Sequence, residues 1–507
     1  MSTIRRQSII SSAVIYFGFA VGMLNIYFFT SDSLSAKGVL FTEEEYGLTT
    51  IFIAISSLMA SFAMMAMPAF IFKFFHYYND NLPARKNDLV TWAILISCIG
   101  FCLVMIAGWF FKELVIRKFG AHSPSLLVYY YWIFPMGLGL TIYSVLEAYA
   151  WGMGNAVVTS YLREVQWRLW TTLLIILLIA GTIDYDLFIK LFAFGYPTIA
   201  ITLFIYLLAK GKIHFTFKVS KVTRRFWSQI IRFCCFFYAG TIIFTLSQVF
   251  DTIVIASKLE KGAAKAGIFG LAAILASIIH APQRAIIASS LTHLSKAWKE
   301  KNMGLLQRVY TRSSINLLIF SLGIYLLIAL NYREAVASFN LKDSYLTGFN
   351  AFLLIGLTRV IDMGTGVNSQ IIATSTYWRF ELFSGIVLLA VILPLTFFLA
   401  EKYDILGPAI ASVISISVYN IIRIAFLWNK FRLFPFTRQS LYTILLAGIC
   451  YAICFFAFKN MHGFPGLFIR STAFMILYAG TVFYMKLSPD LVPVLQTIQK
   501  RLGLKKN

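Results

Sequence analysis

Long apolar runs, separated by short polar segments, recur from one end of the chain to the other. A run of about 20 apolar residues crosses the hydrocarbon core of a bilayer as a helix. The pattern predicts fourteen transmembrane helices. They lie near residues 8–29, 47–72, 89–111, 125–150, 164–181, 187–208, 227–256, 264–290, 313–332, 346–374, 380–400, 405–428, 439–458 and 465–485.

The composition agrees with this pattern. Of the 507 residues, 59% are hydrophobic and 13% are charged, whereas about 25% of a soluble domain is charged. The chain is therefore predicted to be an all-α polytopic membrane protein. All six cysteines lie inside apolar runs, which favours packing roles over a disulfide framework or a metal site. No cofactor is expected.

The distribution of charge predicts the orientation. Fourteen spans place both termini on one side of the membrane, and most of the 44 Lys and Arg residues fall in segments on that side. Cytoplasmic loops carry such an excess of positive residues, so both termini are predicted to be cytoplasmic. The net charge of +23 is thus an orientation signal with attraction to membrane lipids, and nucleic acid is not an expected partner.

The two halves of the chain resemble each other. The segments "RRQSII" (5–10), "YGLTTIFIAIS" (46–56) and "TSYLRE" (159–164) have counterparts, in the same order and at a near-constant offset, in 224–231, 269–279 and 374–381. The repeat predicts an N-terminal six-helix lobe (1–208) and a C-terminal six-helix lobe (227–430), with a cleft between them. A basic cytoplasmic linker (209–226) joins the lobes. Two additional helices and a basic amphipathic tail (431–507) follow.

Five features then carry a resemblance to a known family. They are "EEEYGL" (43–48), Asp251 within "SQVFDTIVIAS" (247–257), Pro282, "GVNSQIIATSTYWRFE" (366–381) and "LGPAIASVISISVYNIIRIAFLWNKF" (406–431). With them, nearly the whole chain resembles the polysaccharide flippases of the multidrug/oligosaccharidyl-lipid/polysaccharide (MOP) exporter superfamily.

The resemblance implies a MOP/MATE-like fold and a transporter, not an enzyme. Such a protein moves an undecaprenyl-diphosphate-linked oligosaccharide to the outer leaflet of the bacterial cytoplasmic membrane for cell-surface polysaccharide synthesis. Other glycan-assembly membrane proteins are its implied partners. The lipid II branch carries a charged pair in span one, whereas this chain has Asn25 there. This difference argues against lipid II itself as the substrate.

Arg359 and Asp362 are the best-placed charges, near the middle of span ten. Facing lipid, each would cost about 2.5–3.5 kcal/mol on insertion scales. Three residues apart, they share a helix face and are able to pair. One interpretation is a cleft-lining site, in which Arg359 meets phosphate and Asp362 orients it or takes up a proton. The other is a structural pair that locks span ten to a neighbour.

A second group of candidate substrate-binding residues lies in span eight, where Pro282 bends the helix. His280, Gln283 and Arg284 cluster at the bend, and Arg284 is either a cleft cation or a snorkelling side chain. Asn368, in the segment after Asp362, completes the predicted substrate-binding set.

Coupling to an H+ or Na+ gradient needs a carboxylate in the membrane. The candidates are Asp251, Asp362 and Glu147, and the sequence does not choose among them. Glu147 lies near the inner end of span four, which favours an interfacial role.

Other charges near span ends are interpreted as interfacial. They are those at 163–168 in span five, and Arg423, which with Asn420 is predicted to snorkel inward from span twelve.

Three other functions compete with the flippase. A cation-coupled multidrug or metabolite antiporter of the same superfamily requires a net negative cleft, whereas Arg359 and Arg284 are central here. A membrane-embedded glycosyltransferase requires a catalytic loop or domain, and the chain has no nucleotide loop, GxSxG or HExxH motif. A scaffold without transport activity has little reason to bury Arg359 and Asp362.

Overall fold

The computed structural model describes residues 3–32 and 41–490. The side chains of residues 3–12, 284, 285, 288, 289, 291 and 292 are not described. The predicted amphipathic tail from 491 onward lies outside the described residues.

The described residues are 83% helical and contain no strands, so the predicted all-α class is confirmed. They form two compact units that divide after Gly267. The helices of the first unit are α1 (Thr3–Thr30), α2 (Glu43–Ala63), α3 (Met67–Asn79), α4 (Leu89–Phe110), α5 (Lys112–Phe119), α6 (Pro124–Val128), α7 (Ile133–Gly152), α8 (Ala156–Tyr161), α9 (Trp167–Ile179), α10 (Tyr185–Phe192), α11 (Gly195–Ala209) and α12 (Lys221–Lys258).

The next helix, α13 (Gly262–Ile279), contains the division itself. The second unit continues with α14 (Gln283–Lys299), α15 (Met303–Ser338), α16 (Phe349–Gly364), α17 (Asn368–Thr374), α18 (Arg379–Tyr403), α19 (Leu406–Phe431), α20 (Arg438–Ala457) and α21 (Gly463–Tyr484). The predicted division into two six-helix lobes at the basic linker stays a prediction.

Among the described residues, twelve helices are long and apolar enough to cross a membrane. The pair α10 and α11, bent by 41°, makes a thirteenth span if it is taken as one. The difference from the predicted fourteen is the fifth run. There a π-helical turn (Leu162–Gln166) lies between α8 and α9 in one continuous helical run, so neither α-helix by itself reaches the roughly 20 residues of a full span.

Close helix packing in the first unit depends on small residues, as is usual in membranes. Gly100 of α4 packs against the backbone of Ala63, and Gly139 of α7 packs against Pro197 of α11. A Cβ at either glycine would collide with these neighbours. Helix α7 therefore lies at the centre of the unit, in contact with α2, α3, α4 and α11.

In the second unit, α15 is the central helix and packs against α14, α16, α20 and α21. Helix α19 packs between α16 and α18. Two of the predicted spans in this unit are broken. The span near 264–290 forms α13 and α14, and the span near 346–374 forms α16 and α17.

Candidate functional site

The candidate site is built around the break between α16 and α17. Helix α16 ends at Gly364, and Gly366 adopts a φ of +72°, which only glycine reaches without strain. A broken helix leaves carbonyl groups without partners, and these are costly in an apolar layer. Ser314 of α15 donates its hydroxyl to the carbonyl oxygen of Gly364 at 2.6 Å. A neighbouring helix therefore supplies a hydrogen-bond donor for a carbonyl group at the break, so the break is stabilised by the packing of the unit.

Asp362 lies one turn before this break and contacts two other elements. Its Oδ2 is 3.6 Å from Nε2 of His280, which lies at the break between α13 and α14. Its Oδ1 accepts a hydrogen bond from Nδ2 of Asn420 in α19 at 3.2 Å. The side chains of His280 and Asp362 are 28% and 29% exposed. The two broken spans of the second unit thus meet at an accessible imidazole–carboxylate pair.

A buried amide pair extends the site. Nδ2 of Asn368, the first residue of α17, donates to Oδ1 of Asn420 at 2.8 Å and to Oγ1 of Thr365 at 3.0 Å. Asn420 is 2% exposed. The prediction that Asn420 snorkels to the surface is therefore wrong, because its amide is consumed by helix-to-helix hydrogen bonds. The signal in the sequence was an amide within a long apolar run.

Arg423 lies one turn further along α19, and its side chain is 3% exposed. It forms an ion pair with Glu381 of α18, donates from Nε to Ser384 Oγ at 3.1 Å and lies 3.9 Å from the ring centroid of Tyr419. The snorkelling prediction is wrong for Arg423 as well, since a partner within the protein removes the need to reach the interface. Glu381 is a residue of the site that the sequence did not predict.

The ion pair joins the rest of the site through one hydroxyl. Ser369 of α17 donates its Oγ to Glu381 Oε1 at 2.8 Å. Because Ser369 directly follows Asn368, α17 carries both the amide pair and the contact with the ion pair. A short helix after a break thus connects all the polar groups of the site.

The remaining predicted residues lie around this centre. Arg359 is half-buried on α16, one turn before Asp362. Gln283 and Arg284 begin α14, next to the His280 break, and the side chain of Arg284 is not described. The structure therefore brings together His280, Asp362 and Asn368, with Arg359 on the same helix as Asp362.

The other two coupling candidates lie in the first unit. Glu147 of α7 is 8% exposed, and its Oε2 is 3.1 Å from Nη1 of Arg163 in the π-helical turn. Asp251 is half-buried in α12. Glu147 is thus a member of a helix-to-helix ion pair, which the sequence did not predict.

Asn25 joins two helices of the first unit. Its Nδ2 donates to the carbonyl oxygen of Arg168 at 2.9 Å, and its Oδ1 accepts from Thr172 Oγ1 at 2.7 Å. These bonds fasten α1 to α9. The polar residue of span one therefore holds two helices together.

The chemistry of the second-unit site is that of charge and hydrogen bonding. Among the described residues, no group of three or more His, Cys, Asp and Glu is arranged to hold a metal ion. Amides and an imidazole bind hydroxyl groups and phosphate oxygens.

The fold has relatives among solved structures. It is similar to the lipid II flippase MurJ in an inward closed conformation, with a TM-score of 0.70 and 14% identity, over 94% of this chain and 99% of that one. It is also similar to an inward-facing multidrug resistance MATE transporter of the MOP superfamily (TM-score 0.63, 14% identity, 84% of this chain and 97% of that one). No family model and no curated protein matches the chain.

A third similar structure is a MOP superfamily transporter from Pyrococcus furiosus, whose reverse polarity of the binding pocket is described as suggesting a different function. Its TM-score is 0.56 at 15% identity, over 84% of this chain and 95% of that one. The chain is therefore a multi-pass helical membrane protein with the fold of MOP superfamily transporters.

Proposed function

We propose that this protein is a flippase. It moves an undecaprenyl-diphosphate-linked oligosaccharide from the cytoplasmic to the outer leaflet of the bacterial cytoplasmic membrane, for cell-surface polysaccharide synthesis. Both termini are cytoplasmic, and the two lobes alternate in access around a cation-lined cleft. The observation that carries the proposal is the polar network where the two broken spans of the second unit meet.

Broken spans support a transport site on physical grounds. Transporters bind their cargo at discontinuous helices, where irregular backbone and polar side chains line a path through the membrane. Charged groups are costly in an apolar layer unless they are partnered or reach water, and the side chains of His280 and Asp362 are 28% and 29% exposed, which leaves them open to a cargo. The fold shared with a lipid II flippase agrees with a lipid-linked cargo.

The residues have distinct proposed roles. Arg359, His280, Gln283 and Arg284 bind the diphosphate through charge and hydrogen bonds. Asn368 donates from Nδ2 to Asn420 and Thr365, so it is its side-chain carbonyl oxygen that accepts from a sugar hydroxyl group. Such groups replace the water that phosphate and sugar lose when they leave the aqueous phase.

Coupling to an ion gradient is assigned to Asp362. Its carboxylate lies 3.6 Å from His280, so a proton taken up by either group changes the charge of the pair that the diphosphate meets. The coupling ion is thus H+ in this proposal. Na+ coupling and a role for Asp251 or Glu147 in the first unit are the alternatives.

A cation-coupled multidrug or metabolite antiporter is the second candidate, because MATE transporters share the fold. A site for an organic cation is expected to be net negative. In the second unit, Asp362 is accompanied by His280 and Arg359, and Glu381 is neutralised by Arg423. This balance of charge favours an anionic cargo.

The first experiment is mass spectrometry of lipid-linked glycans in cells depleted of the protein. We expect one undecaprenyl-diphosphate oligosaccharide to accumulate on the cytoplasmic leaflet, and its mass identifies the cargo. If no lipid-linked glycan accumulates and the cells become sensitive to cationic compounds, the antiporter replaces the flippase.

The site is tested separately with Arg359→Ala. We expect transport to be lost while insertion and thermal stability are kept, because the half-buried side chain serves the cargo. Arg308→Ala is the matched control, since it removes the same charge from an exposed position on α15. Normal transport by Arg359→Ala would show that the site is assigned wrongly. Loss of folded protein would favour a structural role for Arg359.

A further inference from the structure

The basic segment between α11 and α12 is an ordered strap in the structure. Helix α11 ends at Ala209, Gly211 follows with a φ of +61°, and residues 210–220, here called the strap, contain no helix or strand. Ile213 is 4% exposed and packs in the core of the first unit. Three hydrogen bonds hold the strap against α7 and the start of α4. The hydroxyl of Tyr149 in α7 donates to the carbonyl oxygen of Lys212 at 2.9 Å. The backbone amides of Thr216 and Ser220 donate to Thr91 Oγ1 at 3.1 Å and to Asp88 Oδ2 at 2.8 Å.

A cavity of about 270 Å³ lies beneath the strap. The strap contributes Lys212 and His214, and the lining also includes Asn79 at the end of α3 and Asn87 just before α4. Within the part of the chain that the structure describes, no acidic side chain lines this cavity. Its walls therefore present positive charge and amide groups.

The position and free donors of the Lys212 ammonium group suit the binding of an anion. Its ammonium donates one hydrogen bond, to Asn155 Oδ1 at 3.3 Å, and an ammonium has three donors. The side chain is half-buried, and its backbone is fixed by Tyr149. A lysine held in this way loses little freedom when a phosphate group binds, so the site is preorganised.

The surroundings of the cavity favour a lipid over a soluble anion. Phe215 and Phe217 on the strap are 47% and 71% exposed, and aromatic side chains concentrate at the membrane interface. Arg85 and Lys86 lie on a 3₁₀ turn next to Ala84, which lines the cavity. All these segments lie on the side predicted to be cytoplasmic, where basic clusters attract anionic headgroups.

We propose that this cavity binds the phosphate headgroup of an anionic membrane phospholipid. Lys212, His214 and the amides of Asn79 and Asn87 hold the phosphate, and Phe215 and Phe217 contact the acyl chains. The site lies in the first unit, whereas the polar network at the broken spans belongs to the second unit. Its lipid is a bound constituent of the membrane, not cargo.

The test is native mass spectrometry of the full chain, released from detergent in the presence of phosphatidylglycerol or phosphatidylcholine. We expect bound phosphatidylglycerol on the wild type and about tenfold weaker binding by Lys212→Gln, the loss typical of one charge-assisted hydrogen bond. Lys218→Gln is the matched control, because Lys218 is exposed on the same strap and does not line the cavity. Equal losses in the two variants, or equal binding of the two lipids, would overturn the proposal.

Two further measurements test the role of the Lys212 charge and distinguish a lipid from a soluble phosphate. Lys212→Arg keeps the charge and is expected to keep at least half of the lipid binding, so a variant that folds but binds no lipid would count against the site. Inorganic phosphate at millimolar concentration is expected to leave the lipid bound. If inorganic phosphate displaces it fully, the cavity is a site for a soluble phosphate and the lipid assignment is wrong.

Discussion

The burial of the ion pair between Arg423 and Glu381 predicts how much stability is lost when either residue is replaced. Arg423 is 3% exposed, whereas Glu381 is 32% exposed. Glu381→Leu leaves a buried guanidinium without its carboxylate partner, which typically costs about 3–5 kcal/mol of stability. Arg423→Met leaves a carboxylate that is 32% exposed and keeps its hydrogen bond from Ser369, so we expect a smaller loss, about 1–3 kcal/mol. The two single variants should therefore differ.

The double variant is the decisive comparison. Replacing both charges with apolar groups of similar volume is often neutral, so Glu381→Leu/Arg423→Met should be more stable than Glu381→Leu alone. Thermal unfolding in detergent, followed for all four proteins under one condition, gives the coupling between the two residues. Arg379→Met is the control, because it removes an exposed charge from the same segment. Additive losses, or a larger loss in Arg423→Met, would refute the reasoning from burial.

Three more predictions concern the break in α16 and α17. Gly366→Ala places a Cβ 2.9 Å from Ser313 Oγ at a left-handed φ, so thermal unfolding should show a stability loss of about 1–3 kcal/mol. Gly448→Ala is the control and should show no loss, because open space surrounds Gly448. Asp362→Asn keeps an acceptor for Asn420 but no charge, so abundance should be normal and export of lipid-linked glycan lost; normal export would contradict its role. Asn420→Leu removes the buried acceptor of Asn368 Nδ2 and the donor to Asp362 Oδ1 and should cost about 1–3 kcal/mol of stability; an unchanged melting temperature would show that the amide network does not stabilise the fold.

Much of the fold could be predicted from the pattern of apolar runs. Each predicted run contains helix in the structure, because a chain in hydrocarbon must satisfy its backbone hydrogen bonds within the helix. The fifth run shows the limit. Composition along 164–181 does not reveal the π-helical turn at Leu162–Gln166, because that turn depends on how the segment packs against its neighbours.

For the site, the sequence determined which charged and amide residues lie inside apolar runs, because the cost of burying them marks them as exceptions. It thereby singled out Arg359, Asp362 and His280. The tertiary structure alone decided their partners. Asp362 contacts His280 across two broken helices, and Arg423 pairs with Glu381 instead of reaching the interface. Such contacts join residues that are dozens of positions apart, and only the packing of the helices brings them within hydrogen-bonding distance.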